Sequence, residues 1–173
     1  MSVQQTSNET HAREADLRRA SLLDFDHLFR RAEADAGEYR SAGPFPHIVL
    51  DDLLPQQDAV DLAAEFPSPE AAVNWRQLSP TADSGERWQY RKLGLCAVEQ
   101  MPPGLRELMF ELNSSTFIRF LERLTGIEAL LPDPKLQGGG LHQVLPGGVL
   151  GVHADFTFVY WNKFLFLFCE RII

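Results

Sequence analysis

Cysteine is nearly absent: Cys96 and Cys169 are the two in 173 residues. Two cysteines cannot build the disulfide framework that staples small secreted domains, and such usage suits a reducing compartment. Neither lies in a C-x-x-C pair, which argues against structural zinc. Basic charge is also short, with 16 Lys and Arg against 24 Asp and Glu and a net charge of −8. A surface built to neutralise phosphates needs the opposite balance, so no nucleic-acid partner is expected. No apolar run reaches the roughly 18 residues of a membrane-spanning helix, so no membrane partner is expected either. The opening MSVQQTSNETHARE lacks the basic-then-apolar order of a secretory leader, and a cytoplasmic location is the expectation. No fixed-period repeat is visible, which excludes solenoids and propellers. Missing too are G-x-S-x-G, the P-loop and the dinucleotide fingerprint; Gly138–Gly140 fits neither phosphate motif and reads as a turn or bulge.

What remains is an ordinary globular composition, 45% apolar and 23% charged, on a length that suits one domain. The acidity concentrates in residues 41–100, which hold 9 acids and 4 bases, and reads as a solvated face. Residues 1–12 are polar. From about Ala12 to Ala36, Leu17, Leu22 (or Ala20), Phe25, Leu28 and Phe29 recur near helical spacing, predicting one or two amphipathic helices, with a restart near Ser21 and Asp24. Ser41 to Pro46 breaks that pattern with a glycine and two prolines. His47–Leu50 then reads as a short strand. Gln56–Glu65 reads as a helix with Pro55 in its first turn.

Trp75–Leu78 and Trp88–Cys96 read as strands around a turn-rich segment. Beyond Pro102 two apolar stripes follow, Leu105, Leu108, Met109 and Leu112, then Phe117, Phe120, Leu121 and Leu124. Ser114 or Ser115 suits the cap of the second helix, and Gly126 its end. The segment Leu136–Asp155 holds two β-type runs, about Gly140–Leu145 and Val149–Asp155. They flank Pro146-Gly-Gly148, which predicts a hairpin or a tight β corner.

His153 and Asp155 are two residues apart, so on a strand they project from one face. One imidazole nitrogen and one carboxylate oxygen make two of the three ligands of a 2-His-1-carboxylate triad, which leaves open positions on Fe(II). A hydrogen-bonded pair at a strand end is the plainer alternative for the same triplet.

The stretch GGGLHQVLPGGVLGVHADF resembles the proximal half of the iron(II)/2-oxoglutarate-dependent oxygenase core, in its prolyl 4-hydroxylase-like branch. Upstream, PFPHIVLDDLLP, a W…W-x-Y-x-K middle, LMFELNSSTFIRFLERLTGI and LLPDPKLQGGGLH follow in the order of that branch. The resemblance spans about Phe45 to Phe156. It implies an α+β fold, with N-terminal helices packed on an incomplete double-stranded β-helix (jelly-roll, cupin-like) core. Residues 1–40 would form a helical segment and 41–173 a truncated oxygenase domain. It implies Fe(II) and 2-oxoglutarate as cofactors, admits ascorbate, and makes His153 and Asp155 metal ligands. His142 and Gln143 become candidates for cofactor or substrate contact; a core histidine and an exposed glutamine read equally well. The implied activity is dioxygenase hydroxylation of a small-molecule or peptide substrate, prolyl residues included.

The family pattern continues with a second iron-binding histidine and a basic residue for 2-oxoglutarate. Here 18 residues follow Asp155, and the histidines are His11, His27, His47, His142 and His153. An eight-stranded jelly roll would need on the order of 50 further residues at ordinary strand and loop lengths. The expectation is therefore a truncated, impaired enzyme. The alternative is a non-catalytic remnant acting as a protein-interaction module. Lys163 and Arg171 flank the apolar tail, and its run Phe164–Cys169 reads as an edge strand.

Overall fold

The computed structural model describes residues 21–51, 53–78, 89–133, 135–136, 139–151 and, for the backbone alone, 168–172. The architecture is α+β. Helix α1 (Phe25–Ser41) starts at Asp24, whose carboxylate accepts from His27 N at 2.9 Å and so takes up one of the free amides of the first turn. It ends at Ser41, where the glycine and proline break begins. Helix α2 (Gln56–Glu65) follows Pro55, and buries Leu62.

Residues 47–50 correct the sequence expectation, because they form no strand. Ile48 and Leu50 pack against the core while Val49 is 73% exposed. Alternation here comes from an extended segment lying on a core, with no ladder beside it.

Helices α3 (Pro103–Leu112) and α4 (Ser115–Thr125) bear out the two stripes. Ser114 caps α4 by accepting from Phe117 N at 3.2 Å, and Gly126 closes it in the left-handed region, φ 75°. At the corner between the helices, Asn113 exchanges hydrogen bonds with the backbone of Asp133, at 2.7 and 3.0 Å, tying a distant loop to the helix pair. Helix α4 packs across α1, with the Arg123 guanidinium 5.0 Å from the centre of the Phe29 ring.

One sheet carries strands β1 (Arg76–Gln77), β2 (Gln89–Leu95), β3 (Gly140–Leu150) and β4 (Phe168–Ile172), in that spatial order. The pairs β1–β2 and β2–β3 are antiparallel, whereas β4 runs parallel to β3. Pro146-Gly-Gly148 makes a corner within β3 and no hairpin, since both flanking runs pair with β2. Tyr90 faces Val149 and Lys92 faces Val144, so Arg91 stands against the residues Leu145–Gly148. A bulge of that size needs the composition found there: Gly147 has φ 74°, and a Cβ on Gly148 would lie 2.7 Å from Leu145 O.

The core lies between the helices and one face of the sheet. Ala32, Phe120, Leu95 and Leu141 are wholly buried in one cluster that also holds Leu28, Leu62 and Met109. Phe66 and Trp75 stack at its margin, ring centres 6.4 Å apart. Among the described residues, no helix is long and apolar enough to cross a membrane.

Candidate functional site

Strand β3 positions the candidate residues that are described, and its register decides which face each one takes. Leu141 pairs with Leu95, His142 with Gly94, Gln143 with Leu93 and Val144 with Lys92. Alternation puts Leu141 and Gln143 on one face with Leu95, which belongs to the helix-packed core. His142 and Val144 take the opposite face, together with Gly94 and Lys92. The two cofactor candidates, His142 and Gln143, therefore divide between faces and cannot line one pocket together.

The His142 face is itself buried. His142 is 5% exposed and Lys92 4%, although lysine is almost never enclosed to that degree unless paired. Gly94 makes the room: a Cβ there would lie 3.2 Å from His142 Cδ2 and 2.6 Å from Leu78 Cδ1. Leu78 is held beside it by its amide, which donates to Lys92 O at 2.9 Å. A cationic side chain and an imidazole thus occupy neighbouring register positions on a water-poor sheet face.

Lys92 is the residue that reading for site chemistry missed. It is the lysine of the W-x-Y-x-K run, and its signal was its place on a strand otherwise rich in β-formers. On the other face, Gln143 is wholly buried, and among the described residues neither its Oε1 nor its Nε2 has a hydrogen-bond partner. Arg171 stands at the register position of Gln143, on β4.

His153 and Asp155 lie outside the described residues, three and five positions beyond the end of β3. Among the described residues, no group of three or more His, Cys, Asp or Glu is placed to hold a metal ion. Cys96 is a free thiol, half-buried, and donates to Gly139 O at 3.2 Å. Burial pushes its pKa above the ordinary 9.0 and nearby Asp133 adds to this, against an opposing pull from Arg76. That keeps it a thiol, not a nucleophilic thiolate. A cleft between the starts of α1 and α2, lined by Asp24, His27, Leu53 and Gln56 among others, contains none of the residues expected from sequence to form the site.

The fold class established by these elements is α+β. No protein-family model, curated protein sequence or solved structure matches the chain.

Proposed function

We propose that the chain carries the proximal half of an iron(II)/2-oxoglutarate-dependent oxygenase site, on a β core of the double-stranded β-helix type. The observation that carries the reading is a buried pair beside Gly94: Lys92 on β2 and, opposite Gly94, His142 on β3, the strand that precedes His-x-Asp in the sequence. This donor set fits the group. 2-Oxoglutarate is a dicarboxylate, and a lysine ammonium offers three donors to a carboxylate where water is scarce. His153 and Asp155 would hold the metal through one imidazole nitrogen and one carboxylate oxygen, hard and borderline donors of the kind Fe(II) takes. When bound, Fe(II) with 2-oxoglutarate supplies the oxygen activation needed to hydroxylate an unactivated C–H bond.

The chain's own residues bind and orient. Lys92 fixes one end of the dicarboxylate by charge, and His142 shapes the wall beside it. Gly94 keeps the wall thin enough for the imidazole to sit down against β2. Asp155 offsets part of the metal's charge, which matters more where water is excluded.

The test is anaerobic titration of the folded chain with Fe(II) and then 2-oxoglutarate. A visible charge-transfer band that saturates with 2-oxoglutarate is expected, together with loss of the band in His153→Ala and in Asp155→Ala. Lys92→Met should weaken 2-oxoglutarate binding about tenfold or more, the effect of removing one charge-assisted partner. A folded wild-type chain that gives neither the band nor succinate on admitting oxygen would overturn the reading, in favour of a protein-interaction module.

A further inference from the structure

A single carboxylate fastens the segment ahead of α1 to the rest of the molecule. Glu111, on α3, accepts from Leu22 N at 2.7 Å through Oε1. Its Oε2 accepts from Leu23 N at 2.9 Å and lies 2.9 Å from Ser21 Oγ. Leu23 is buried in the core and Leu22 packs against it, so the strap holds apolar contacts as well. Ser21 itself is half-buried, and residues 21–24 belong to no helix or ladder. The sequence across this point is Leu17-Arg-Arg-Ala-Ser-Leu-Leu23. Two arginines stand three and two residues before the serine, and a leucine stands directly after it. Paired guanidiniums fit a carboxylate-lined groove, and the following leucine fits an apolar subsite. That is the recognition chemistry of a basic-directed serine kinase.

We propose that Ser21 is a phosphorylation site for such a kinase, and that the phosphate undocks residues 21–23 from Glu111. The co-reactant is a nucleoside triphosphate. Ser21 Oγ forms a bond to the γ-phosphorus while the bond from that phosphorus to the β–γ bridging oxygen breaks. The nucleoside diphosphate leaves with the electron pair, and the hydroxyl proton passes to the kinase's base. The product has lost the hydroxyl donor that faces Glu111 and has gained about 1.5 to 2 negative charges against a carboxylate. A phosphate in the first turn of a helix can be stabilising. Ser21 lies three residues before the Asp24 cap, outside the reach of that effect, whereas Glu111 is in contact. Repulsion therefore decides the outcome. The proposal stands apart from the oxygenase reading.

The test exposes the full chain to the catalytic subunit of a cyclic-AMP-dependent kinase with magnesium ATP, and maps phosphate by peptide mass spectrometry. One phosphate on Ser21 is expected, absent in Ser21→Ala. The double variant Arg18→Ala, Arg19→Ala should slow the transfer about tenfold or more. Amide exchange at Leu22 and Leu23 should then quicken about tenfold or more on phosphorylation. In Glu111→Gln, with the opposing charge gone, phosphorylation should change that exchange much less. Failure to label Ser21, when a peptide of residues 15–25 is labelled under the same conditions, overturns the site. A phosphorylated Ser21 that leaves Leu22 and Leu23 protected overturns the undocking.

Discussion

Gln143 pairs with Leu93 across the β2–β3 ladder and, among the described residues, its amide has no hydrogen-bond partner although it is fully enclosed. A buried amide stripped of water and given no hydrogen bond costs about 1–3 kcal/mol relative to one that is satisfied. Methionine has nearly the same length and bends to fill irregular space. Gln143→Met should therefore stabilise the fold by about 1 kcal/mol, since the desolvation cost is removed and the volume kept. A urea denaturation midpoint that moves upward at unchanged slope is the expected result. A downward shift would mean that the amide is satisfied in solution. The neighbouring His142 and Lys92 differ in kind: each is buried and each is engaged, so truncating either should destabilise.

At the scale of elements, local signals governed wherever the sequence was easy to read. Ser114 Oγ accepts from the otherwise free amide of Phe117, and this contact sets where α4 begins. Ser114→Ala should cost about 1 kcal/mol, visible as a lowered thermal midpoint with the helix otherwise intact. The helices over Gln56–Glu65 and beyond Pro102, and the strands around Arg76 and Gln89, were all legible, because caps, prolines and periodicity are written within a few residues. What was not legible depends on partners far along the chain. His47–Leu50 alternates like a strand, yet it lies on the core without a ladder. Pro146-Gly-Gly148 reads as a hairpin or as a tight corner, and only the pairing of both flanking runs with β2, a distant partner, decides for the corner. The candidate site divides in the same way. The i, i+2 spacing of His153 and Asp155 can be seen in the sequence alone, whereas the burial of Lys92 is set by what covers its face of the sheet. The Glu111 strap joins residues about ninety positions apart and leaves no trace in local pattern.

For the molecule as a whole, the question is whether the helices and the sheet stand or fall together. Leu23, Leu28 and Ala32, at the front of the chain, belong to the same core cluster as Phe120 on α4 and as Leu95 and Leu141 on β2 and β3. Such a cluster has no internal seam along which helices could separate from strands while both stayed dry. Phe120 sits at the junction, wholly buried and tilted against Phe117 with ring centres 5.4 Å apart. Phe120→Ala should cost about 3–5 kcal/mol, from lost burial and from the cavity left in a well-packed interior. The loss should not stay within the helical layer. Native-state amide exchange is expected to quicken by a similar factor at Leu28 in α1, at Leu95 in β2 and at Leu141 in β3, because the slowest amides of one cooperative unit exchange by the same global opening. Faster exchange confined to α1 and α4, with Leu95 and Leu141 still protected, would show two separately stable layers. The sheet would then keep the Lys92 and His142 face in place even when the helices open, and the stability of the candidate site would be independent of the helical layer.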